Sequence, residues 1–102
     1  MSPLKREDIV IQNPAVLCTE LDDGDAVLLN LDTKFYYGLN ETGLRAWQLI
    51  DGSRTVAQIA ETITQEYEVD QAQAENSTLQ LLQELEAENL VLVGKPKVSG
   101  AR

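Results

Sequence analysis

The sequence predicts an α+β domain in which a three-stranded antiparallel sheet precedes three helices. Three observations carry this. Between Ala15 and Leu39 successive side chains sort onto two faces at the period of a strand, and two short turn-forming groups break the run. From Asn40 to Glu88 the apolar residues recur at helical period instead. Each of the three helical stretches opens on a residue suited to capping, namely Asn40, Thr55 and Asp70.

Residues 1–12 read as a flexible or weakly paired lead, in which Ile9-Val10-Ile11 is a candidate short strand. The domain itself spans 13–93, and 94–102 (GKPKVSGAR) is a polar tail. Ala15 to Leu21 is the first strand of a meander. Ala15, Leu17, Thr19 and Leu21 share one face; Val16, Cys18 and Glu20 share the other. Asp22-Asp23-Gly24-Asp25 is a turn by composition. In the second strand, Ala26 to Leu31, Val27, Leu29 and Leu31 oppose Leu28 and Asn30. Asp32-Thr33 is short enough for a two-residue hairpin loop, although it lacks the glycine such loops favour. Lys34 to Leu39 is then the third strand. Phe35, Tyr37 and Leu39 lie on one face, where the first two would fix the sheet to the helices, and Tyr36 lies on the other.

The first helix is capped by Asn40, carries Glu41 where the helix dipole favours an acid, and has an apolar stripe of Leu44, Trp47, Leu49 and Ile50. Trp47 on that stripe is a core residue. Asp51-Gly52-Ser53 stops the helix. Thr55 to Gln58 has capping-box spacing, and Val56, Ile59, Ala60, Ile63 and Tyr67 recur behind it. Asp70 to Gln73 repeats the spacing with an Asp cap. The third helix runs to about Glu88 with a core stripe of Ala74, Thr78, Leu81, Leu82 and Leu85. Asn89 suits the left-handed position that ends a helix, and Leu90 to Val93 closes the core. The short connection between the last two helices is a helix-turn-helix pattern, which makes the domain winged-helix-like.

Composition excludes several classes of function. The chain has 102 residues, no histidine and one cysteine, so the usual zinc, iron-sulfur and haem ligand sets are missing, and no cofactor or metal is expected. The commonest general base at neutral pH is missing too, and no pair of carboxylates stands out as an acid–base couple, so the sequence predicts no enzyme. Seventeen Asp and Glu against eight Lys and Arg give a net charge of −9. Between Asn13 and Gly94 only Lys34, Arg45 and Arg54 face fifteen acids, and the third helix carries acids alone. A transcription regulator of winged-helix type, the alternative reading, needs a basic recognition helix, so no nucleic-acid partner is expected. No apolar run reaches membrane-spanning length and no signal peptide is present, so a cytoplasmic protein without a membrane partner is expected. Cys18 is expected to be a small buried or half-buried filler, with nothing nearby to lower its thiol pKa.

The third strand ends the meander, so its outer edge has unpaired backbone groups. Such edges are ordinarily defended by charge, proline or brevity. Within Lys34–Gly38, Lys34 is the sole charge and proline is absent. An open aromatic edge suits a guest strand. On the third helix, Leu79 lies off the centre of the core stripe, flanked by Glu75, Glu86 and the edge of Leu82.

The run DAVLLNLDTKFYYGLNETGLRAWQLIDGSRTVAQIAETITQEYEVD resembles the pyrroloquinoline-quinone biosynthesis protein D family. The broader group is the leader-peptide recognition elements of ribosomally made, modified peptides. The matching features run in order: a strand ending in Leu31-Asp32, an aromatic strand, Gly38-Leu39-Asn40-Glu41-Thr42-Gly43, Trp47, Asp51-Gly52, Thr55-Val56, and Leu81-Leu82 with Leu85. The likeness covers residues 13 to 93, and Asn89 departs from it where the family has glycine. The resemblance implies a non-catalytic adaptor for the leader of a precursor peptide; family members are either fused to the enzyme or free-standing, and the length of 102 residues with a polar tail leads us to expect a free-standing one. The leader would add as a strand to the third strand, lie in the groove toward the third helix, and be presented to a maturation enzyme such as a leader peptidase or radical SAM enzyme. Pathways served by the family include those of the quinone cofactor and of lasso peptides. The residues expected to hold the leader are Lys34, Phe35, Tyr36, Tyr37 and Gly38 on the strand and Glu75, Thr78, Leu79 and Leu82 on the helix. Leu79 would form the far wall, and the acidic flank would favour basic leader residues. The free chain is expected to be a monomer or a weak dimer, since edge-to-edge pairing would compete with the leader.

Overall fold

The computed structural model describes residues 4–94. The elements are β1 (Ile9–Gln12), β2 (Val16–Glu20), β3 (Ala26–Asn30), β4 (Tyr36–Leu39), α1 (Glu41–Leu49), α2 (Val56–Tyr67), α3 (Gln71–Ala87) and β5 (Val91–Gly94). This is the α+β arrangement read from the sequence, with an antiparallel sheet in the order β2-β3-β4 and three helices behind it. A second, two-stranded sheet pairs β1 with β5 antiparallel, Val10 opposite Val93 and Gln12 opposite Val91. Of the tail expected at 94–102, all but Gly94 lies outside the described residues.

The caps work as the residue types dictate. The Gly43 N–H donates to Asn40 Oδ1 at 2.8 Å, and the Gln73 N–H to Asp70 Oδ2 at 3.2 Å. Thr55 and Gln58 form a complete capping box. Two more donors of the α2 N-terminus are satisfied from the lead segment: Val56 N–H on Asp8 C=O and Ala57 N–H on Arg6 C=O. Asn89 takes the left-handed conformation (φ 61°), so an Asn does here what glycine commonly does.

The lead segment takes part in the core. Leu4 and Val10 belong to one buried cluster with Leu28, Trp47, Ile59, Leu82, Leu85 and Leu90. Trp47 is a core residue, as its place on the α1 stripe implies. Arg6 crosses to α3, where its Nε and Nη2 hold the Glu75 carboxylate at 3.1 and 2.9 Å. Burial of Ala26, Leu28, Asn30 and Leu39 identifies the face of the three-stranded sheet that meets the helices.

Asn30 is the buried polar hub of that face. Its Oδ1 accepts the N–H groups of Asp32 (2.8 Å) and Thr33 (3.1 Å), shaping the β3–β4 loop. Its Nδ2 donates to the Asn89 carbonyl, which also accepts Asn13 Nδ2. One side chain therefore joins the hairpin to the end of α3, with its polar atoms satisfied inside the protein.

The β3–β4 loop is longer than expected. It spans Leu31–Phe35, with Lys34 in the left-handed region (φ 65°) and its N–H on the Asn30 carbonyl. The strand therefore begins at Tyr36, where the sequence suggested Lys34. Cys18 is exposed on the edge strand β2, a correction to the buried filler expected. Partial desolvation, helped by Glu20, holds its thiol above the ordinary value.

Candidate functional site

Hydrogen bonding across the sheet shows which backbone groups of β4 are free. The Asn30 N–H donates to the Phe35 carbonyl, and the register pairs Leu28 with Tyr37 and Ala26 with Leu39. In an antiparallel ladder, bonded and non-bonded pairs alternate. Phe35, Tyr37 and Leu39 thus turn their peptide groups toward β3, while the N–H and C=O of Tyr36 and Gly38 point to the outer edge. The other neighbour of β3 gives the same parity, because Leu31 N–H donates to Ala15 C=O on the opposite side. No strand pairs with that edge of β4 among the described residues.

Beside this edge runs a groove of about 540 Å³. Tyr37, Gly38 and Leu39 form one wall, and Gln73, Ala74, Ser77, Thr78 and Leu81 of α3 form the other. The rest of its lining comes from the start of α1 and from α2 with the hinge behind it, including Ala46, Ile63, Tyr67 and Val69. None of the lining residues is charged. At one end the Tyr37 hydroxyl donates to Glu84 Oε1, tying β4 to α3. Burial first, and then this carboxylate, pushes the phenol up to about 12. Gly43 also lines the groove, and its lack of a Cβ matters: one built there would stand 3.2 Å from Asn40 Oδ1 and 3.3 Å from Leu39 Cδ2.

The residues singled out from the sequence divide on these coordinates. Tyr37, Gly38 and Thr78 line the groove. Tyr36 contributes the open backbone edge, and its side chain, 66% exposed, stands on the outer face of the sheet. Lys34 and Phe35 precede the strand. Lys34 turns its ammonium onto the Leu31 carbonyl, and Phe35 is exposed, so it does not fix the sheet to the helices. Leu82 is fully buried in the core. Leu79 is half-buried against the core, away from the groove. Leu81 packs against the core, as its place on the core stripe implies, and it also occupies the groove wall expected of Leu79. Glu75 holds Arg6, and that bond keeps its carboxyl below the usual range. The acidic flank thought to select basic leader residues therefore does not border the groove. Sequence reasoning left Tyr67, Val69 and Leu81 out of the site: Tyr67 ends the α2 stripe, Val69 lies in the hinge behind it, and Leu81 sits mid-helix on the α3 stripe.

No group of three or more His, Cys, Asp or Glu side chains among the described residues is placed to hold a metal ion. No helix among them is long and apolar enough to cross a membrane.

Comparison with known proteins agrees with this geometry. The family model for coenzyme PQQ synthesis protein D matches residues 25–91. No curated protein matches the chain. Among solved structures, TbiB1 in complex with the TbiA(beta) leader peptide is 31% identical, with a TM-score of 0.71 over 79% of this chain and 93% of that one. A lasso peptide synthetase B1 complexed with its leader peptide is 28% identical, with a TM-score of 0.71 over 81% and 96%. The PqqD truncation of Methylobacterium extorquens PqqCD is a functional, stand-alone recognition element for ribosomally synthesised and post-translationally modified peptides. It shares the fold with a TM-score of 0.75 at 24% identity, over 87% of this chain and 94% of that one.

Proposed function

The chain belongs to the family of coenzyme PQQ synthesis protein D, and from that premise we propose that it is a non-catalytic adaptor for the leader of a precursor peptide. The leader adds as a strand to the outer edge of β4 and is presented to the enzyme that matures the precursor, such as a leader peptidase or radical SAM enzyme. One observation carries this reading: the free N–H and C=O of Tyr36 and Gly38 run alongside an uncharged groove of about 540 Å³ closed by α3. Two structural relatives above 25% identity were solved with leader peptides bound.

The physics of strand addition divides the work. Main-chain bonds to the β4 edge supply affinity with little regard to sequence, and pockets for alternate side chains supply selectivity. Tyr37, Leu39, Ala74, Thr78 and Leu81 are the groove residues assigned to that selectivity. A leader side chain of Leu or Phe size buried there gains about 1.5–3 kcal/mol. Because the groove is uncharged, selection is for apolar side chains. Regulation of DNA is disfavoured, since every charged side chain on α3 is acidic.

The test begins by locating a short precursor gene next to the one that encodes this chain, and then titrates its synthetic, fluorescently labelled leader into the purified protein. Saturable one-to-one binding that survives moderate salt is expected. No saturation at about millimolar protein, where the binding free energy would be only some 4 kcal/mol, removes the reading.

A further inference from the structure

A strand has two backbone edges, and a leader laid along β4 satisfies only one of them there. Its N–H and C=O groups alternate in direction, so every second residue turns them away from β4 and toward α3. Across the end of the groove the Tyr37 and Glu84 side chains meet, so the two walls stand one tyrosine and one glutamate apart. A strand lies about 4.8 Å from its neighbour, which brings the far edge of the leader up against α3. A helix satisfies its own interior backbone groups, so α3 can meet that edge only with side chains. Any leader backbone group buried there without a partner weakens binding.

The α3 wall holds one buried polar side chain suited to this. Ala74 and Leu81 have no polar side-chain atom, and Gln73 and Ser77 are exposed, where solvent serves them. Thr78 is only 5% exposed. Helical threonines commonly turn the hydroxyl back onto the carbonyl four residues earlier. Two threonines of α2 do so: Thr62 donates to the Gln58 carbonyl at 3.2 Å and Thr64 to the Ala60 carbonyl at 3.0 Å. Thr78 Oγ1 makes no hydrogen bond, to Ala74 or to any other group, among the described residues. An unpartnered hydroxyl at that depth is unusual in a folded protein. Thr78 lines the groove, and whatever fills the groove displaces the water that could reach this hydroxyl. Its partner must then come from the occupant.

The main chain of the leader is the matching partner. Leader side chains that point into the groove meet Leu39, Ala46 and Ile63, which are buried and apolar. The Thr78 hydroxyl belongs instead to the wall that the far backbone edge faces. A hydroxyl both donates and accepts, so it suits an N–H or a C=O, and every leader residue except proline offers both. We propose that Thr78 is a leader-binding residue whose hydroxyl bonds the leader main chain on the edge opposite β4, so that the leader is held by its backbone from both sides. The assignment rests on the adaptor reading above. It gives Thr78 a main-chain contact in addition to its share in selecting side chains.

The experiment uses the full chain and the labelled leader of the adaptor test, with Thr78→Val and Thr78→Ser as variants. Valine keeps the branched shape and removes the hydroxyl; serine keeps the hydroxyl and removes the methyl. Thr78→Val should bind leader at least about fivefold more weakly, because a leader backbone group loses its partner, whereas its Tm should hold or rise, because an apolar group replaces an unpartnered polar one. Thr78→Ser should stay within about threefold of native affinity. A set of leaders, each with one backbone amide replaced by an ester, then locates the contact. At one position the ester should weaken binding to the native chain by about fivefold and leave binding to Thr78→Val nearly unchanged. Native-like affinity in Thr78→Val overturns the assignment. So does an equal loss in Thr78→Ser, which would make the residue's shape the cause. A fall in Tm of more than about 4 °C in Thr78→Val would mean that the hydroxyl serves the fold, and overturns it as well. If Thr78→Val loses affinity but no ester position couples to it, the hydroxyl serves a leader side chain and the main-chain contact is refuted. Failure of the native chain to bind leader at all is a different result and removes the adaptor reading itself.

Discussion

Tyr36→Pro separates the sheet edge from the sheet interior. The Tyr36 N–H points away from β3, so the substitution deletes no bond of the β3–β4 ladder. Proline is tolerated on edge strands with its missing donor to the outside. The fold should therefore lose no more than about 1 kcal/mol, a fall of roughly 4–8 °C in Tm for a domain of this size. Leader binding should suffer more. One main-chain bond disappears, and a leader carbonyl is held against a ring carbon with no donor. A net bond is worth about 0.5–1.5 kcal/mol and an unsatisfied buried acceptor costs about 1–3 kcal/mol. The second figure already includes the lost bond, so a loss of about 1–3 kcal/mol raises Kd roughly 5- to 150-fold. Tyr36→Ala is the control, because it keeps the N–H and removes only the ring. Its loss should not exceed about fivefold, the worth of one cross-strand pair. The assay is anisotropy titration of labelled leader with a thermal melt of each variant. A Tm lowered by well over 10 °C would mean that the N–H serves β3 and that the edge assignment is inverted. A proline variant that both melts and binds like the native protein would refute strand addition at β4.

Other substitutions test the remaining assignments. Leu79 and Leu81 both pack on the core, so either change to Arg should lower Tm, but only Leu81→Arg places a guanidinium on the groove wall and should weaken leader binding by about 1–3 kcal/mol, whereas Leu79→Arg should leave binding intact. Titration and melting of the pair decide which leucine faces the leader, and the opposite pattern would restore Leu79 to the groove. Tyr37 has a raised phenol pKa in the folded state, so its stabilisation is complete below about pH 10, the ordinary tyrosine value, and is lost as pH rises through about 12. The phenolate difference spectrum of native protein minus Tyr37→Phe should have its midpoint near 12, and a midpoint at the ordinary value would mean that β4 and α3 are not joined through Glu84. Asn30→Ala strips two loop N–H groups and the Asn89 carbonyl of a partner and should destabilise by about 1–3 kcal/mol, read as a Tm fall of roughly 4–20 °C with the leader site otherwise unaltered.

Local rules made much of this architecture legible. Alternation separated the meander strands, and the caps at Asn40, Thr55 and Asp70 placed the helix starts, because these features depend on residues within a turn or two of one another. The open edge of β4 was legible for the same reason: the third strand of a meander with no following strand has no partner. Lys34 shows where local rules stop. Nothing in Asp32-Thr33-Lys34 marks a left-handed residue, and the loop conformation is set by the buried Asn30 side chain and the Asn89 carbonyl it reaches.

The rotation of α3 was decided by tertiary structure alone. At 100° per residue, Leu79, Leu81, Leu82 and Leu85 spread over roughly 160°, nearly half of the helix circumference, so periodicity names a broad apolar sector without saying what covers each flank. One flank is taken by the lead segment, through Arg6 on Glu75 and Gln83 Nε2 on the Leu4 carbonyl, contacts made 69 and 79 residues apart in the chain. That keeps Leu79 out of the groove and leaves Leu81, which packs on the core as well, to line it. The pairing of β1 with β5 has the same character, joining the two ends of the domain. The sequence alone determined the three meander strands, the three helices and that one edge stays open, while β5 was read only as a segment that closes the core. Which side chains meet in the groove follows from contacts between residues far apart in the chain, which no local pattern records.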